Sequence, residues 1–433
     1  MSFIPAIEQK SIAEQAAFQW EKLGPALEYL LQHSPYYRRM FGEQQIDVKA
    51  LRSWEDFARV PTTSKEALQQ YNNDFLCVAP KAVREYMSTS GTLGRPVTIA
   101  LTQNDLLRLA YNEYLSFHCI EATDEDIFQL MLTLDRQFMA GVAYYSGLSL
   151  LGAASIRTGP GLPAMQWDTI RQMKTTGLVA VPSFLLKLIA HAKANDFPAG
   201  SGTVKKVLAI GESLRDEELQ PNALARQIAA EWDVQLYSTY AATELQTAFT
   251  ECRAGQGGHH HPELVVVELL DDRGQPVAPG EKGEVTITTL GVEGMPLLRY
   301  RTGDMCRGYY EPCSCGRHTM RLGPVLGRKQ QMIKFKGTTL YPPAIFDVLN
   351  GVPQIQEYVI EISTGADGQD ELAIYLHCDM EPAAGDELLR PLFSHRWRVV
   401  PRLHYRSAEA IRQLQYPGHN RKPVKLIDLR HIS

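Results

Sequence analysis

The sequence predicts an α/β fold, with a large N-terminal α/β domain that includes a β subdomain and a small C-terminal α+β domain. Between about residue 83 and residue 245, apolar strand-like runs alternate with helical stretches, and each run ends at a polar or small-residue turn. This alternation is typical of largely parallel sheets. Residues 264–290 change to strands separated by a turn cluster, and a compact tail follows residue 327. The pattern therefore divides the chain into domains of residues 1–327 and 328–433.

The individual elements follow from the apolar runs and their flanking residues. The predicted strands of the first domain span residues 127–134, 178–181, 207–210, 265–270 and 285–290. The tail predicts a helix at 343–350, strands at 355–363 and 371–378, a helix at 384–396 and a strand at 399–406. Near the N-terminus, residues 11–33 have helical spacing. We expect two short helices there, broken near Gly24 and Pro25, because proline removes a helical hydrogen bond.

Composition narrows the class of protein. The chain has 433 residues, of which 44% are apolar and 21% charged, with a net charge of −5. No run rich in lysine and arginine stands out, so nothing in the charge distribution indicates a nucleic-acid partner. The start of the chain lacks the apolar core of a signal peptide, and the apolar stretch 177–190 is too short to cross a bilayer. We therefore expect a soluble, cytoplasmic protein without a membrane partner. A homodimer is the candidate assembly, although the sequence leaves the oligomeric state open.

Residues 88–96 are rich in glycine and hydroxyl side chains. They read Ser88, Thr89, Ser90, Gly91, Thr92, Leu93, Gly94, Arg95 and Pro96. Glycine lets backbone N–H groups approach an anion closely, and hydroxyl groups add donors. This loop suits the β- and γ-phosphates of a nucleotide, although it lacks the Walker pattern. Taken alone, the loop is weak evidence, because clusters of serine, threonine and glycine are usually ordinary surface turns.

Further motifs follow this loop in a fixed order. They are Tyr240-Ala241-Ala242-Thr243-Glu244, Tyr300-Arg301-Thr302-Gly303-Asp304, Gly327-Arg328 and the late lysines Lys422 and Lys425. The order resembles that of the adenylate-forming (acyl-CoA synthetase) superfamily. The segments MPLLRYRTGD, CSCGR and GRKQQMIKFKG, together with the short chain, resemble more narrowly the phenylacetate–CoA ligase family. The resemblance runs from about residue 34 to the C-terminus and implies the adenylate-forming enzyme fold, with a mobile C-terminal domain.

The resemblance implies an ATP-dependent, AMP-forming ligase and gives the motifs their roles. The loop at 88–96 would hold the β- and γ-phosphates, while Thr243 would donate to the α-phosphate. Glu244 would bind Mg²⁺, a hard cation that prefers carboxylate oxygen. Asp304 would accept from the ribose hydroxyls, and Arg328 would contact the ribose or a phosphate. The remaining nucleotide-lining residues would be Tyr240, stacked on adenine, with Gly211, Glu212, Ser213 and Ala241.

A late lysine would serve the first chemical step. A preplaced ammonium group stabilises the charge that builds on phosphate oxygens when a carboxylate attacks the α-phosphorus. The resemblance assigns this role to Lys422 in the lid domain. Lys425 stays a rival, because the residues that flank Lys422 depart from the family pattern. Gln331 replaces an acid at the hinge of the family, and Lys334 and Lys336 are candidates for contacts in the second half-reaction.

Cysteine and histidine residues form a candidate metal site. Cys252 precedes the run His259-His260-His261, and Cys313 and Cys315 follow later. Three thiols and an imidazole suit tetrahedral Zn²⁺. The resemblance favours His259 and implies a structural zinc between loops 252–262 and 311–317. The segments HPE and PCSC also loosely match the zinc deaminase pattern, which leaves a zinc-dependent hydrolase as an alternative.

The acid and its acceptor follow from the resemblance more than from the residues. Candidates for the acid pocket are Phe138, Tyr145, Ser183, Phe184, Gly211 and Ala241. Three of them carry rings that could sandwich a flat substrate. We therefore expect an aromatic acid of the benzoate, anthranilate or phenylacetate type, with CoA as the acceptor. A carrier-protein phosphopantetheine presents the same thiol and stays open, as does a nucleotide-binding protein without catalysis.

Overall fold

The computed structural model describes residues 3–89, 97–197, 199–336, 338–365, 369–416 and 424–430. The chain divides into two compact units, Met1–Val325 and Leu326–Ser433. This division lies two residues before the predicted boundary. Within the described residues, no helix has both the length and the apolar character that a membrane span needs.

Short helices and one long helix begin the first unit. They are a 3₁₀ helix Ala6–Gln9, α1 (Ile12–His33), α2 (Pro35–Glu43), α3 (Trp54–Ala58) and α4 (Lys65–Gln70). The prediction of two helices within 11–33 is wrong, because α1 continues through Pro25. A capping box at Ser11 and Glu14 fixes its start, and Leu23, Leu27 and Leu30 bury one face. That burial outweighs the single backbone hydrogen bond that Pro25 removes.

A six-stranded sheet forms the centre of the first unit. Its strands are β3 (Ile127–Leu130), β4 (Ala154–Arg157), β5 (Gly177–Ala180), β6 (Lys206–Ala209), β7 (Gln235–Ala242) and β8 (Thr247–Thr250), in the order β4-β3-β5-β6-β7-β8. All neighbours are parallel except β7 and β8. The accompanying helices are α5 (Gln103–Cys119), α6 (Met139–Leu151), α7 (Pro163–Met173), α8 (Pro182–Ala194) and α9 (Ala223–Glu231). The predicted α/β architecture with largely parallel strands is confirmed.

Two antiparallel arrangements complete the first unit. β1 (Glu85–Ser88) pairs with β2 (Thr98–Leu101), so that Ser88 lies opposite Thr98. The β subdomain contains β9 (Gly258–His259), β10 (Val265–Leu270), β11 (Lys282–Thr289), β12 (Tyr300–Tyr309) and β13 (Arg321–Leu322), in the order β10-β11-β12-β13-β9. The strand expected at 265–270 is confirmed, and the strand expected at 285–290 begins earlier and ends one residue sooner.

The second unit is an α+β domain, as expected. Its strands are β14 (Gly327–Arg328), β15 (Ile333–Phe335), β16 (Thr338–Leu340), β17 (Ile355–Thr364), β18 (Asp370–Cys378), β19 (Arg402–Tyr405) and β20 (Leu426–Asp428). Its helices are α10 (Pro342–Asn350), α11 (Pro382–Trp397) and α12 (Ala408–Gln415). The sheet has the order β19-β18-β17-β20, and its buried face packs on Ile345, Leu349, Leu389 and Phe393. The helix–strand–strand–helix–strand order of the tail is confirmed.

Candidate active site

The carboxyl ends of parallel strands meet at one edge of the central sheet. β3 lies between β4 and β5, although the chain reaches β4 before β5, so the strand order reverses at β3. Ligands of open α/β sheets bind in the crevice outside the carboxyl ends of strands at such a reversal. Phe138 follows β3, Ser183 and Phe184 follow β5, and Gly211 follows β6. Topology therefore brings the predicted acid-pocket segments to the edge where a ligand crevice is expected.

The turn that leaves β3 has an unusual backbone. Arg136 and Gln137 both have positive φ angles, of 58° and 59°. Non-glycine residues adopt this region rarely, and such strained backbone clusters at functional sites. The backbone N–H of Ser88 donates to the carbonyl of Gln137 at 3.0 Å, which joins β1 to this turn. The turn thus connects the start of the glycine–hydroxyl loop with Phe138, the first candidate pocket ring.

The three candidate rings differ in their surroundings. Phe138 and Tyr145 are 38% and 41% exposed, and the guanidinium of Arg157 lies 5.3 Å from the centre of the Tyr145 ring. Phe184 is half-buried and packs against the apolar core around α7 and α8. Two of the rings therefore have surface available for a ligand, whereas Phe184 contributes to the core.

The segments after β5 and β6 are joined directly. The backbone N–H of Ser183, in the first turn of α8, donates to Glu212 Oε2 at 2.8 Å. The Ser213 hydroxyl donates to the carbonyl of Arg215 at 2.9 Å, and Asn222 Nδ2 donates to the Ser213 carbonyl at 2.8 Å. Gly211 is exposed and has a φ of 76°, a conformation that favours glycine. The predicted nucleotide segment 211–213 is thus a fixed turn at the edge of the sheet.

Two predicted nucleotide residues from distant motifs are in contact. The hydroxyl of Tyr240 on β7 donates to Asp304 Oδ2 on β12 at 3.0 Å. Burial, followed by the neighbouring Asp304 charge, raises the pKa of Tyr240 well above its ordinary value, so the phenol stays protonated and remains a donor. Ala241, the next residue on β7, is exposed. The central sheet and the β subdomain therefore meet where adenine and ribose contacts were expected.

Glu244 lies in a buried, cation-bearing environment. Glu244 follows β7 in a short 3₁₀ helix, Thr243–Leu245, and it is 6% exposed. The Lys65 ammonium lies 3.5 Å from Glu244 Oε1, and the Tyr300 hydroxyl donates to the same oxygen at 3.4 Å. Lys65 was missed by the sequence analysis, because nothing around the start of α4 indicates a contact so far along the chain. A buried carboxylate needs such a partner, and a cation at this position compensates its charge.

Several predicted residues lie in the glycine–hydroxyl loop or the late lysine segment. Ser90, Gly91, Thr92, Gly94 and Lys422 are outside the described residues. The base of the loop is described: Thr89 N donates to the carbonyl of Val97, and Thr89 Oγ1 accepts from Val97 N, both at 3.0 Å. The Thr89 oxygen thus closes the base of the loop.

The remaining predicted residues belong to the second unit. Arg328 is half-buried in β14. The rival lysine, Lys425, lies against Tyr358: its Nζ is 3.5 Å from the hydroxyl oxygen and 4.9 Å from the ring centre. Gln331 ends a 3₁₀ helix, Lys329–Gln331. Lys334 N donates to Asp370 Oδ2 at 2.6 Å, and the Lys336 ammonium lies 5.0 Å from the Phe335 ring.

The predicted metal site is a compact cluster. The ligand atoms of Cys252, His259, Cys313 and Cys315 all lie within 4.8 Å of one another. The Cys252 and Cys313 sulfur atoms are 3.5 Å apart, as are Cys315 Sγ and His259 Nε2. Zn–S and Zn–N bonds of about 2.3 and 2.0 Å give sulfur–sulfur and sulfur–nitrogen edges of about 3.8 and 3.5 Å in a tetrahedral site. The donor set therefore fits a tetrahedral zinc ion, with all four positions filled by protein.

Residues behind the ligands support this cluster. The Nδ1 atom of His259 is 3.3 Å from the Thr319 hydroxyl, which leaves Nε2 facing the thiols. Hydrogen bonds with Cys252 and Cys313 hold the pKa of the Cys315 thiol below its usual range, which favours the thiolate form that binds metal. Metal-binding histidines usually have a hydrogen-bond partner on the ring nitrogen that does not bind the metal, and Thr319 is in that position for His259. His261 instead bonds to Glu8 at 2.6 Å, which agrees with the choice of His259.

Comparisons with known proteins identify the family of this chain. The family described as AMP-binding enzyme matches residues 42–294. The phenylacetate–coenzyme A ligase of Thermus thermophilus is 29% identical over 360 residues, which are 82% of this chain and 79% of the relative. That of Escherichia coli is 27% identical and covers 78% of this chain and 76% of the relative. A crystal structure of 2-hydroxyisobutyryl-CoA ligase in the postadenylation state matches with a TM-score of 0.83, 21% identity, and coverage of 99% of this chain and 94% of that chain.

The fold, the site and these matches define an AMP-binding, adenylate-forming enzyme. Within that class the chain belongs to the phenylacetate–CoA ligase-like family and is an AMP-forming acid–CoA ligase. The predicted recognition, fold class and enzyme class are confirmed. This membership favours the ligase over the zinc-dependent hydrolase that the sequence left open.

Proposed function

We propose that this ligase converts an aromatic carboxylic acid, ATP and CoA into the aryl-CoA thioester, AMP and pyrophosphate. One observation carries the proposal: the predicted nucleotide and acid segments lie at the same carboxyl edge of the central sheet, where its strand order reverses. Crevices at such reversals hold the ligands of open α/β sheets. The proposal adds to the enzyme class the identity of the acid and the roles of individual residues.

For the nucleotide, the Tyr240–Asp304 pair is the proposed adenine and ribose end. Asp304 accepts from the ribose hydroxyls, and Tyr240 offers its ring face to adenine. Glu244 is the proposed Mg²⁺ ligand, and Thr243 donates to the α-phosphate. The buried position of Glu244 beside Lys65 supports this, because a carboxylate that is already compensated by one cation is suited to exchange it for another. The loop at 88–96 and Arg328 complete the proposed nucleotide contacts.

For the acid, the exposed rings of Phe138 and Tyr145 support an aromatic substrate. A flat ring gains contact area and favourable ring geometry between such side chains. The phenylacetate ligases named above suggest the same class. Ser183, Gly211 and Ala241 are the proposed lining near the reacting carboxylate.

Two displacements follow one another in the proposed reaction. A carboxylate oxygen attacks the α-phosphorus, the bond to the β-phosphate oxygen breaks, and pyrophosphate leaves with the electron pair. Lys422 is the proposed source of positive charge for this step. The position of Lys425 against Tyr358 supports Lys422 over its rival, since Lys425 already has a partner. The CoA thiolate then attacks the acyl carbon, and AMP leaves.

We also propose a structural zinc at Cys252, His259, Cys313 and Cys315. Because four protein ligands leave no open position for water, the ion would stabilise the β subdomain and take no part in the reaction.

Exchange of labelled pyrophosphate into ATP, screened over aromatic and aliphatic acids, tests the proposed substrate. Arylacetic, benzoic and anthranilic acids should support exchange, whereas short aliphatic acids should not. Exchange with aliphatic acids alone would contradict the aromatic assignment. Each active acid is then offered CoA or a phosphopantetheinylated carrier protein. Thioester formation on the carrier, and not on CoA, would replace the proposed acceptor.

A further inference from the structure

Arg215 connects two loops of the first unit. One loop precedes β7 in the sequence, and the other follows β8 and contains Glu251. Arg215 follows the turn 211–213 after β6, and its side chain is only 15% exposed. Its guanidinium forms a forked ion pair with Glu251: Nε lies 3.2 Å from both carboxylate oxygens and Nη2 lies 3.1 Å from Oε2. The Glu251 side chain is 3% exposed, so this pair is shielded from water.

Glu251 is itself held on both sides. Its backbone N–H donates to the carbonyl of Ser238 on β7 at 2.9 Å, and its Oε2 accepts from Ser238 N at 3.2 Å. Glu251 also forms an isolated bridge with Gly258 and directly precedes Cys252. The carboxylate that receives Arg215 is therefore fixed to β7, two residues before Tyr240, and to the loop of the proposed zinc site.

Gly255 makes room for this arrangement. A Cβ atom at Gly255 would lie 2.4 Å from Arg215 Nη2, and its φ of 62° also favours glycine. The guanidinium thus lies directly over the backbone of the 252–257 loop. At its own end, the backbone of Arg215 binds the Ser213 hydroxyl through both its N–H and its carbonyl, at 3.2 and 2.9 Å.

We infer that Arg215 is a positioning residue for the nucleotide, because it fixes the turn 211–213 against Glu251 and the strand that bears Tyr240. This inference rests on the proposed function, which assigns that turn and Tyr240 to the same nucleotide. Arg215 acts on both walls of the site through its neighbours. When an interaction supports nucleotide binding equally in the ground state and the transition state, its loss raises KM and leaves kcat unchanged.

The test compares Arg215→Gln, Glu251→Gln and the double variant, measuring AMP binding by calorimetry and KM for ATP in the exchange assay. Each single variant should raise the dissociation constant for AMP and the KM for ATP by about tenfold, which is about 1.4 kcal/mol. The kcat should change little. The affinity of the double variant for AMP should be no lower than that of the more affected single variant, because each single substitution already removes the same ion pair. Arg215→Lys keeps the charge but loses the fork, and it should show a smaller shift of the same kind.

Lys206→Gln is the matched control. Lys206 forms a similarly shielded ion pair with Asp126, with side chains 18% and 11% exposed. Lys206 is the first residue of β6, whereas the turn 211–213 follows the other end of that strand. This variant should lower the melting temperature and leave the AMP affinity unchanged. The inference is overturned if Arg215→Gln and Arg215→Lys weaken AMP binding no more than this control, or if the two single effects add. Wild-type protein that binds no nucleotide would instead refute the proposed function.

Discussion

Glu113 is a buried carboxyl group whose ionisation should make the first unit less stable as the pH rises. It lies on α5, is 3% exposed, and its burial raises the pKa from 4.5 to about 8. In the unfolded chain the group ionises near its ordinary pKa. Between the two values the unfolded chain therefore releases a proton that the folded chain keeps. Rising pH then favours the unfolded state, and the stability present below pH 4.5 is lost up to about pH 8.

The expected size follows from this linkage. Each pH unit between the two pKa values lowers the free energy of unfolding by about 1.4 kcal/mol. Glu113→Gln has nearly the same shape and cannot ionise, so this contribution disappears. The free energy of unfolding of the variant minus that of wild type should therefore grow by about 3 kcal/mol between pH 5 and pH 7.

Urea unfolding at pH 5, 6 and 7, followed by tryptophan fluorescence, measures this difference. The signal reports mainly on the first unit, since Trp20, Trp54, Trp167 and Trp232 lie there and only Trp397 lies in the second. Glu28→Gln, an exposed exchange on α1, is the matched control and should show no such growth. A difference that stays flat across this pH range for Glu113→Gln would refute the reasoning.

Three further outcomes test the proposed site. Lys422→Ala should slow acyl-adenylate formation by about 100-fold or more, while supplied acyl-AMP still reacts with CoA; equal loss of both half-reactions would argue against its role. Glu244→Gln should raise the Mg²⁺ concentration needed for pyrophosphate exchange, and an unchanged Mg²⁺ dependence would remove Glu244 from the metal site. Purified protein should contain one zinc per chain by metal analysis, and Cys313→Ser should lose it and unfold at a lower temperature, by roughly 2–4 °C for each kcal/mol lost. Zinc retained by Cys313→Ser would contradict the assigned ligands.

Much of the site was predictable because it depends on strand ends. The segments 181–184 and 210–213 follow buried apolar runs, and the carboxyl ends of parallel strands converge at one edge. The metal cluster could be predicted from ligand chemistry and from the spacing of two of its cysteines. Cys313 and Cys315 are close in sequence, although Cys252, 61 residues from Cys313, had to be paired with them by chemistry alone.

What the sequence could not provide are contacts set by tertiary packing. Lys65 reaches Glu244, and Arg215 reaches Glu251, from segments without any motif. The continuity of α1 shows the same limit in the opposite direction. A local rule for Pro25 predicted a break, but the buried leucines of that helix determine the outcome.

Attack of the acid on the α-phosphorus is the central claim, and oxygen labelling tests it most directly. An active acid labelled with ¹⁸O in its carboxylate is incubated with the enzyme, ATP and CoA, and the products are analysed by mass spectrometry. The proposed chemistry predicts one ¹⁸O atom in AMP for each thioester formed, and none in pyrophosphate. Label in inorganic phosphate with formation of ADP would contradict it.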